Sequence, residues 1–110
     1  MSELAKTPKP PYYAVIFTSI RNDGENGYNE MAQKMATLSA AQKGFLGMEH
    51  AREDGLGITV CYWESLEAIA EWRENVDHKI AQMKGYETFY KTFATRVCRV
   101  ERDNIFESKL

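Results

Sequence analysis

A strand that runs straight into a capped amphipathic helix constrains this chain more than any other stretch, and it spans Gly57 to Met83. Along Gly57 to Trp63, β-branched and aromatic residues alternate, with Ile58, Val60 and Tyr62 on one face and Thr59, Cys61 and Trp63 on the other. Ser65 then offers its hydroxyl to an orphan amide one turn inside the helix, and Glu64 and Glu67 suit the positive end of the dipole. Leu66, Ile69, Trp72, Val76, Ile80 and Met83 recur at steps of three and four, which predicts one helix with one apolar stripe. The joint places both tryptophans and His78 close in sequence. By position alone an aromatic at this spacing is a core residue, and neither Trp63 nor Trp72 implies chemistry without further support.

The other elements follow from the same periodicities. Tyr12 to Ile20 is apolar on both faces near its centre, so it belongs in the middle of a sheet. Arg21 to Gly27 reads as loop, and a helix is predicted from about Tyr28 to Gln42, with Tyr28, Met31, Met35 and Leu38 on one face. Gly44 is placed to end that helix in the left-handed conformation. Phe45 to Arg52 is a weaker, partly exposed strand joined by a hairpin to the central one. Lys84-Gly85 breaks the second helix, Tyr86 to Tyr90 is a short extra turn, and Phe93 to Arg102 is a half-exposed last strand. Residues 1–11, with Pro8, Pro10 and Pro11, form a flexible or extended lead-in that can lie over a partner subunit. Residues 12–102 form the domain, and 103–110 are a polar tail.

The order β-α-β-β-α-β predicts an α+β ferredoxin-like plait, a four-stranded antiparallel sheet with two helices on one face. The uncovered face then carries either Tyr13, Val15 and Phe17 or Tyr12, Ala14 and Ile16, and is apolar in both cases. A homodimer through that open sheet face is the economical way to cover it.

Composition excludes several classes. A net charge of -2 and a pI near 5.7 argue against nucleic acid as a partner. No run of roughly 18 apolar residues and no signal-peptide core occurs, so no membrane partner is expected and the location predicted is cytoplasmic. Cys61 and Cys98 lie in apolar runs and read as buried free thiols. With His50 and His78 they never approach ligand spacing, so no metal site is predicted. There is no Gly-rich phosphate loop and no Gly-x-Ser-x-Gly elbow, and Glu64, Glu67, Glu71 and Glu74 read as a solvated helix face. A chain without flavin, nicotinamide or metal motifs can still be an oxygenase if its substrate supplies the electrons. It then needs an apolar pocket, a few hydrogen-bonding groups and exclusion of water.

Tyr62-Trp63-Glu64-Ser65-Leu66-Glu67-Ala68-Ile69, followed by Trp72 and His78 and preceded by Lys43-Gly44-Phe45-Leu46-Gly47, resembles the antibiotic biosynthesis monooxygenase (ABM) family of dimeric α/β-barrel proteins. The resemblance covers roughly Tyr12 to Glu101. It implies a ferredoxin-like homodimer with a cleft between sheet and helices. Some members of this family oxidise polycyclic phenols without a prosthetic group, some degrade haem, and many have no known activity. Carried over, Trp72 matches the helix tryptophan that lines the cleft. Trp72, Trp63 and Tyr28 become the expected contacts to a small flat aromatic ligand, and His78 and Trp72 the expected catalytic pair. Haem is disfavoured as a cofactor. His78 follows Trp72 by only six residues, and Tyr12 to Ile20 lacks the first-strand asparagine of haem degraders, with Thr18 and Ser19 the nearest polar residues. The leading expectation is a cofactor-independent monooxygenase of a flat phenol. The alternatives are a non-catalytic small-molecule-binding or stress-response dimer and, more weakly, haem handling.

Overall fold

Strands and helices follow one another as β1 (Tyr12–Arg21), α1 (Tyr28–Ala40), β2 (Phe45–Glu53), β3 (Leu56–Trp63), α2 (Leu66–Glu74), α3 (Val76–Lys84) and β4 (Tyr90–Val100). A π-helical turn, Gly85–Phe89, joins α3 to β4. These elements belong to a computed structural model that describes residues 4–110. The strands form one antiparallel sheet in the order β2-β3-β1-β4, the ferredoxin-like plait, with β1 inside it as its two apolar faces require.

The register decides which face is which, because residues directly opposite in antiparallel strands project to the same side. Tyr13, Val15, Phe17 and Ser19 share a face with Trp63, Cys61, Thr59 and Gly57, and this is the face that Trp72 of α2 meets through Trp63. Tyr12, Ala14, Ile16, Thr18 and Ile20 share the open face with Tyr62, Val60, Ile58 and Leu56. One end of the open face is strapped by the chain's own lead-in. The Ala5 amide donates to Glu49 Oε2 at 2.9 Å, and Glu49 Oε1 accepts from the Tyr62 hydroxyl at 2.7 Å. Ala5 lies so close over Gly47 that a Cβ there would come within 2.8 Å of the alanine methyl. Tyr12 donates to Asp103, and the Thr7 hydroxyl donates to Tyr12 at 3.0 Å. Beyond the strap the face stays open, with Ile20, Ile58 and Leu56 between 41% and 48% exposed beside Thr18 and Arg96.

Three local expectations are corrected. The second helix is two helices. Asn75 leaves the helical region (φ -60°, ψ 132°), and its side chain accepts from the amides of Asp77 and His78 at 3.0 and 3.2 Å, starting α3 afresh. A short polar side chain that bonds its own neighbouring amides competes with helix continuation, and hydrophobic spacing does not register that. The predicted single stripe is therefore split, and Leu66, Ile80 and Met83 stay exposed. Secondly, α1 stops at Ala40, before Gly44. Gly44 instead turns the chain into β2 at φ +88°, accepts from the Glu64 amide at 2.8 Å, and would drive a Cβ to 2.7 Å from Ala68. Thirdly, Cys98 is exposed rather than buried. It projects from the open face opposite Ala14, whereas Cys61 projects from the helix-covered face opposite Val15.

Candidate functional site

Ser65 fixes the joint between β3 and α2. Its Oγ accepts from the Ala68 amide at 3.0 Å, so the helix starts immediately after the strand and carries Trp72 back over Trp63. Trp63, the last residue of β3, is 1% exposed. The two indoles lie 6.3 Å apart at 28°, and Phe45 meets Trp63 edge-on at 5.3 Å. On the other side the His78 ring stacks on Trp72 at 4.1 Å and 14°. The break at Asn75 makes this stack, because only a chain that turns after α2 can bring His78 back against a residue six positions earlier. The row Phe45–Trp63–Trp72–His78 thus spans sheet, α2 and α3.

The imidazole is oriented by a backbone group. His78 Nδ1 lies 3.0 Å from the Trp72 carbonyl. A carbonyl oxygen only accepts, which assigns the ring proton to Nδ1 and leaves the Nε2 lone pair bare. Gln82 Nε2, 3.4 Å from Nδ1, is then directed to the Arg73 carbonyl at 3.5 Å. Burial pushes the imidazole below its ordinary value of 6.5, and the bond to Trp72 pulls partly the other way. Burial of His78 thus favours the neutral imidazole. A neutral imidazole with a free Nε2 beside an indole can accept a proton from an acidic hydroxyl on an aromatic ring.

Of the residues expected to form a site, Trp63, Trp72 and His78 come together, and Tyr28 does not join them. Tyr28 opens α1 in a second aromatic cluster, edge-on to Phe89 at 5.5 Å and to Tyr90 at 5.9 Å. The Arg21 guanidinium lies 3.6 Å over its ring, and Arg52 Nη2 donates to its hydroxyl at 3.2 Å. No ring contact among the described residues links the two clusters. Open hollows indent the surface, two of them along α1 and α2. One of about 520 Å³ runs along Glu30, Gln33, Lys34 and Thr37. The other, of about 440 Å³, lies between Leu66, Ile69, Arg73 and Val97. Neither is lined by Trp63, Trp72, His78 or Tyr28.

Asn75, Gln82, Arg21 and Arg52 were not singled out from the sequence. Asn75 followed two residues on by Asp77 is a readable helix start, and Gln82 sits one turn past His78. Arg21 and Arg52 have no local signal, since only the folded sheet brings them to one ring. Among the described residues no group of three His, Cys, Asp or Glu side chains could hold a metal ion. No described helix is long and apolar enough to cross a membrane.

The family model described as "Antibiotic biosynthesis monooxygenase" matches residues 11–84. A protein of Bacillus subtilis (strain 168), "Uncharacterized protein YqjZ", is 49% identical over 108 residues, covering 97% of this chain and 95% of that one. Among solved structures, SnoaB, a cofactor-independent oxygenase from Streptomyces nogalater, superposes with a TM-score of 0.74 at 13% identity, over 87% of this chain and 98% of its own. Rv0793 from Mycobacterium tuberculosis does so at 0.70 and 17%, over 89% and 99%. At those identities the structural likeness speaks for the fold alone. The family match spans most of the plait, including β3, α2 and the tryptophan–histidine stack, and the chain belongs to the antibiotic biosynthesis monooxygenase family.

Proposed function

We propose that this protein is a cofactor-independent monooxygenase of a flat phenolic or polycyclic aromatic, working at the Trp72–His78 stack. The observation that carries the reading is the held imidazole, with Nδ1 fixed on the Trp72 carbonyl and Nε2 bare beside the indole face. In this reaction His78 Nε2 takes the phenolic proton, and the electron-rich phenolate reduces dioxygen. One oxygen atom enters the ring as the quinone carbonyl and the other leaves as water, so no external reductant is consumed. Trp72, backed by Trp63 on one face and covered by His78 on the other, offers the substrate ring the part-exposed edge of its indole. SnoaB, a cofactor-independent oxygenase of the same fold, supports this chemistry by analogy.

Haem has no part in the reading. Ser19 is buried with its hydroxyl taken by Arg52 at 3.0 Å, and Thr18 projects from the open face, so neither stands beside His78. The protein acts as a homodimer through the open sheet face, which the apolar run Ile20, Leu56 and Ile58 supports. A cytoplasmic location fits Cys61 and Cys98, which lie on opposite faces where they cannot pair within the chain.

Oxygen uptake with anthrones or naphthols, with ¹⁸O₂ followed into the quinone, tests the reaction. His78→Ala is expected to lower kcat/KM about 100-fold or more, as for loss of a general base. Trp72→Phe, which keeps a ring of smaller area, is expected to raise KM. Turnover untouched by both variants would place the chemistry elsewhere. A second reading, a small-molecule-binding dimer without catalysis, is favoured by one observation: His78 itself already covers a face of Trp72. No oxygen uptake with any phenol, together with saturable quenching by the same phenols, would select it.

A further inference from the structure

The Tyr28 cluster holds two guanidinium groups and no carboxylate. Arg21, from the end of β1, stacks on the Tyr28 ring and donates from Nε to the Phe89 carbonyl at 3.1 Å and from Nη2 to the Gly24 carbonyl at 2.9 Å. Arg52, from β2, approaches the same ring at 5.6 Å. It donates from Nη1 to the Gly55 carbonyl, and from Nη2 to Ser19 Oγ and to Tyr28. Its guanidinium lies against Gly57, where a Cβ would come within 2.4 Å of it. Both cations are thus held by neutral acceptors. The ion pair found among the described residues is Lys79 with Glu74, on another part of the surface. The Glu25 carboxylate accepts from the amides of Gly27 and Asn29 at the start of α1, and no ion pair joins it to either arginine among the described residues.

Two like charges fixed against one ring without a counter-ion repel each other, and the arrangement is stabilised when an anion joins it. A guanidinium has five N–H donors. Here Nη1 of Arg21 and Nε of Arg52 have no acceptor among the described residues, and Arg52 is exposed. Preorganised forks with spare N–H groups recognise oxyanions. We propose that Arg21, over the Tyr28 ring, and Arg52, bonded to the Tyr28 hydroxyl, form a binding site for the carboxylate or phosphate group of a small molecule. The site is distinct from the Trp72–His78 stack and stands whether or not that stack is catalytic. The rings of Phe89 and Tyr90 behind Tyr28 keep it rigid.

The test is a titration of the uniformly ¹⁵N-labelled full chain, read by backbone amide shifts. Sodium benzoate and inorganic phosphate are the two probes, and benzyl alcohol is the uncharged control. Saturable shifts at Gly24, Tyr28 and Gly55 with benzoate or phosphate, and none with benzyl alcohol, are expected. Whichever anion saturates at the lower concentration names the oxyanion class. Arg21→Gln and Arg52→Gln are each expected to weaken that binding at least tenfold. Should either variant fail to fold, the wild-type titration in low and high sodium chloride decides, because a two-cation site weakens severalfold with salt. Silence toward both anions, an equal response to benzyl alcohol, or affinity indifferent to salt and to both arginines would overturn the proposal. None of these readouts involves oxygen uptake, so failure here and failure of the monooxygenase reading are separately visible.

Discussion

His78 carries a pH dependence whose sign follows from its surroundings. Folding lowers its pKa below 6.5 because burial disfavours the imidazolium. The unfolded chain therefore binds the proton more readily. The stability this group contributes is complete above the unfolded value and is lost as pH falls from there through the folded value. Thermal unfolding followed by backbone circular dichroism should show a lower Tm near pH 5 than near pH 7.5. His78→Gln should shrink that difference; an unchanged difference would mean that other groups produce it. Gly44 is the other residue on which much depends. Its φ of +88° and the 2.7 Å from its missing Cβ to Ala68 predict that Gly44→Ala costs more than about 1 kcal/mol, measured by urea unfolding. Both effects were partly legible in the sequence. The sequence marks Gly44 as a left-handed residue, but the helix it is placed to end stops at Ala40. The collision with Ala68 is a contact between elements, which no local pattern encodes.

At the scale of elements, the sheet was readable and the break in the second helix was not. Apolar residues on both faces of Tyr12 to Ile20 identify a central strand, and the alternation of Gly57 to Trp63 a strand beside it. Steps of three and four are preserved across Asn75, so periodicity alone joins α2 to α3. The deciding term is local: one side-chain oxygen serving two amides. Asn75→Ala should therefore cost about 1 kcal/mol, the ordinary worth of such a cap. It should also loosen the stack, visible as faster exchange of the His78 and Lys79 amides. Unaltered exchange would show that packing rather than the cap sets the break. The family resemblance groups Tyr28 with the tryptophans. Folding places it with Arg21 and Arg52 because α1 begins beside the β2–β3 hairpin, and that placement comes from the turn after β1, whose Asn-Asp-Gly-rich sequence specifies a bend and not its direction.

For the whole molecule, the plait leaves one apolar face half bare and straps only one end of it. If two copies meet there, Ile58 lies near the seam, and Ile58→Lys would bury an unpaired charge. That costs roughly 3 kcal/mol, equivalent to about a hundredfold in the dimer dissociation constant. Native mass spectrometry at micromolar concentration should show the wild type as two chains and the variant as one. A wild type that runs as one chain would remove the dimer altogether. The row of rings has a further consequence. Both of the chain's tryptophans belong to it, one beneath α2 and one upon it. Tryptophan emission, excited beyond the tyrosine band, is accordingly a gauge of a single seam, blind to β4, to the strap and to the arginine cluster. Two near-parallel indoles so close together should also give an exciton couplet in circular dichroism that vanishes when either is replaced. The protein carries its own reporter for the one place where its chemistry is proposed, and needs no label to be watched there.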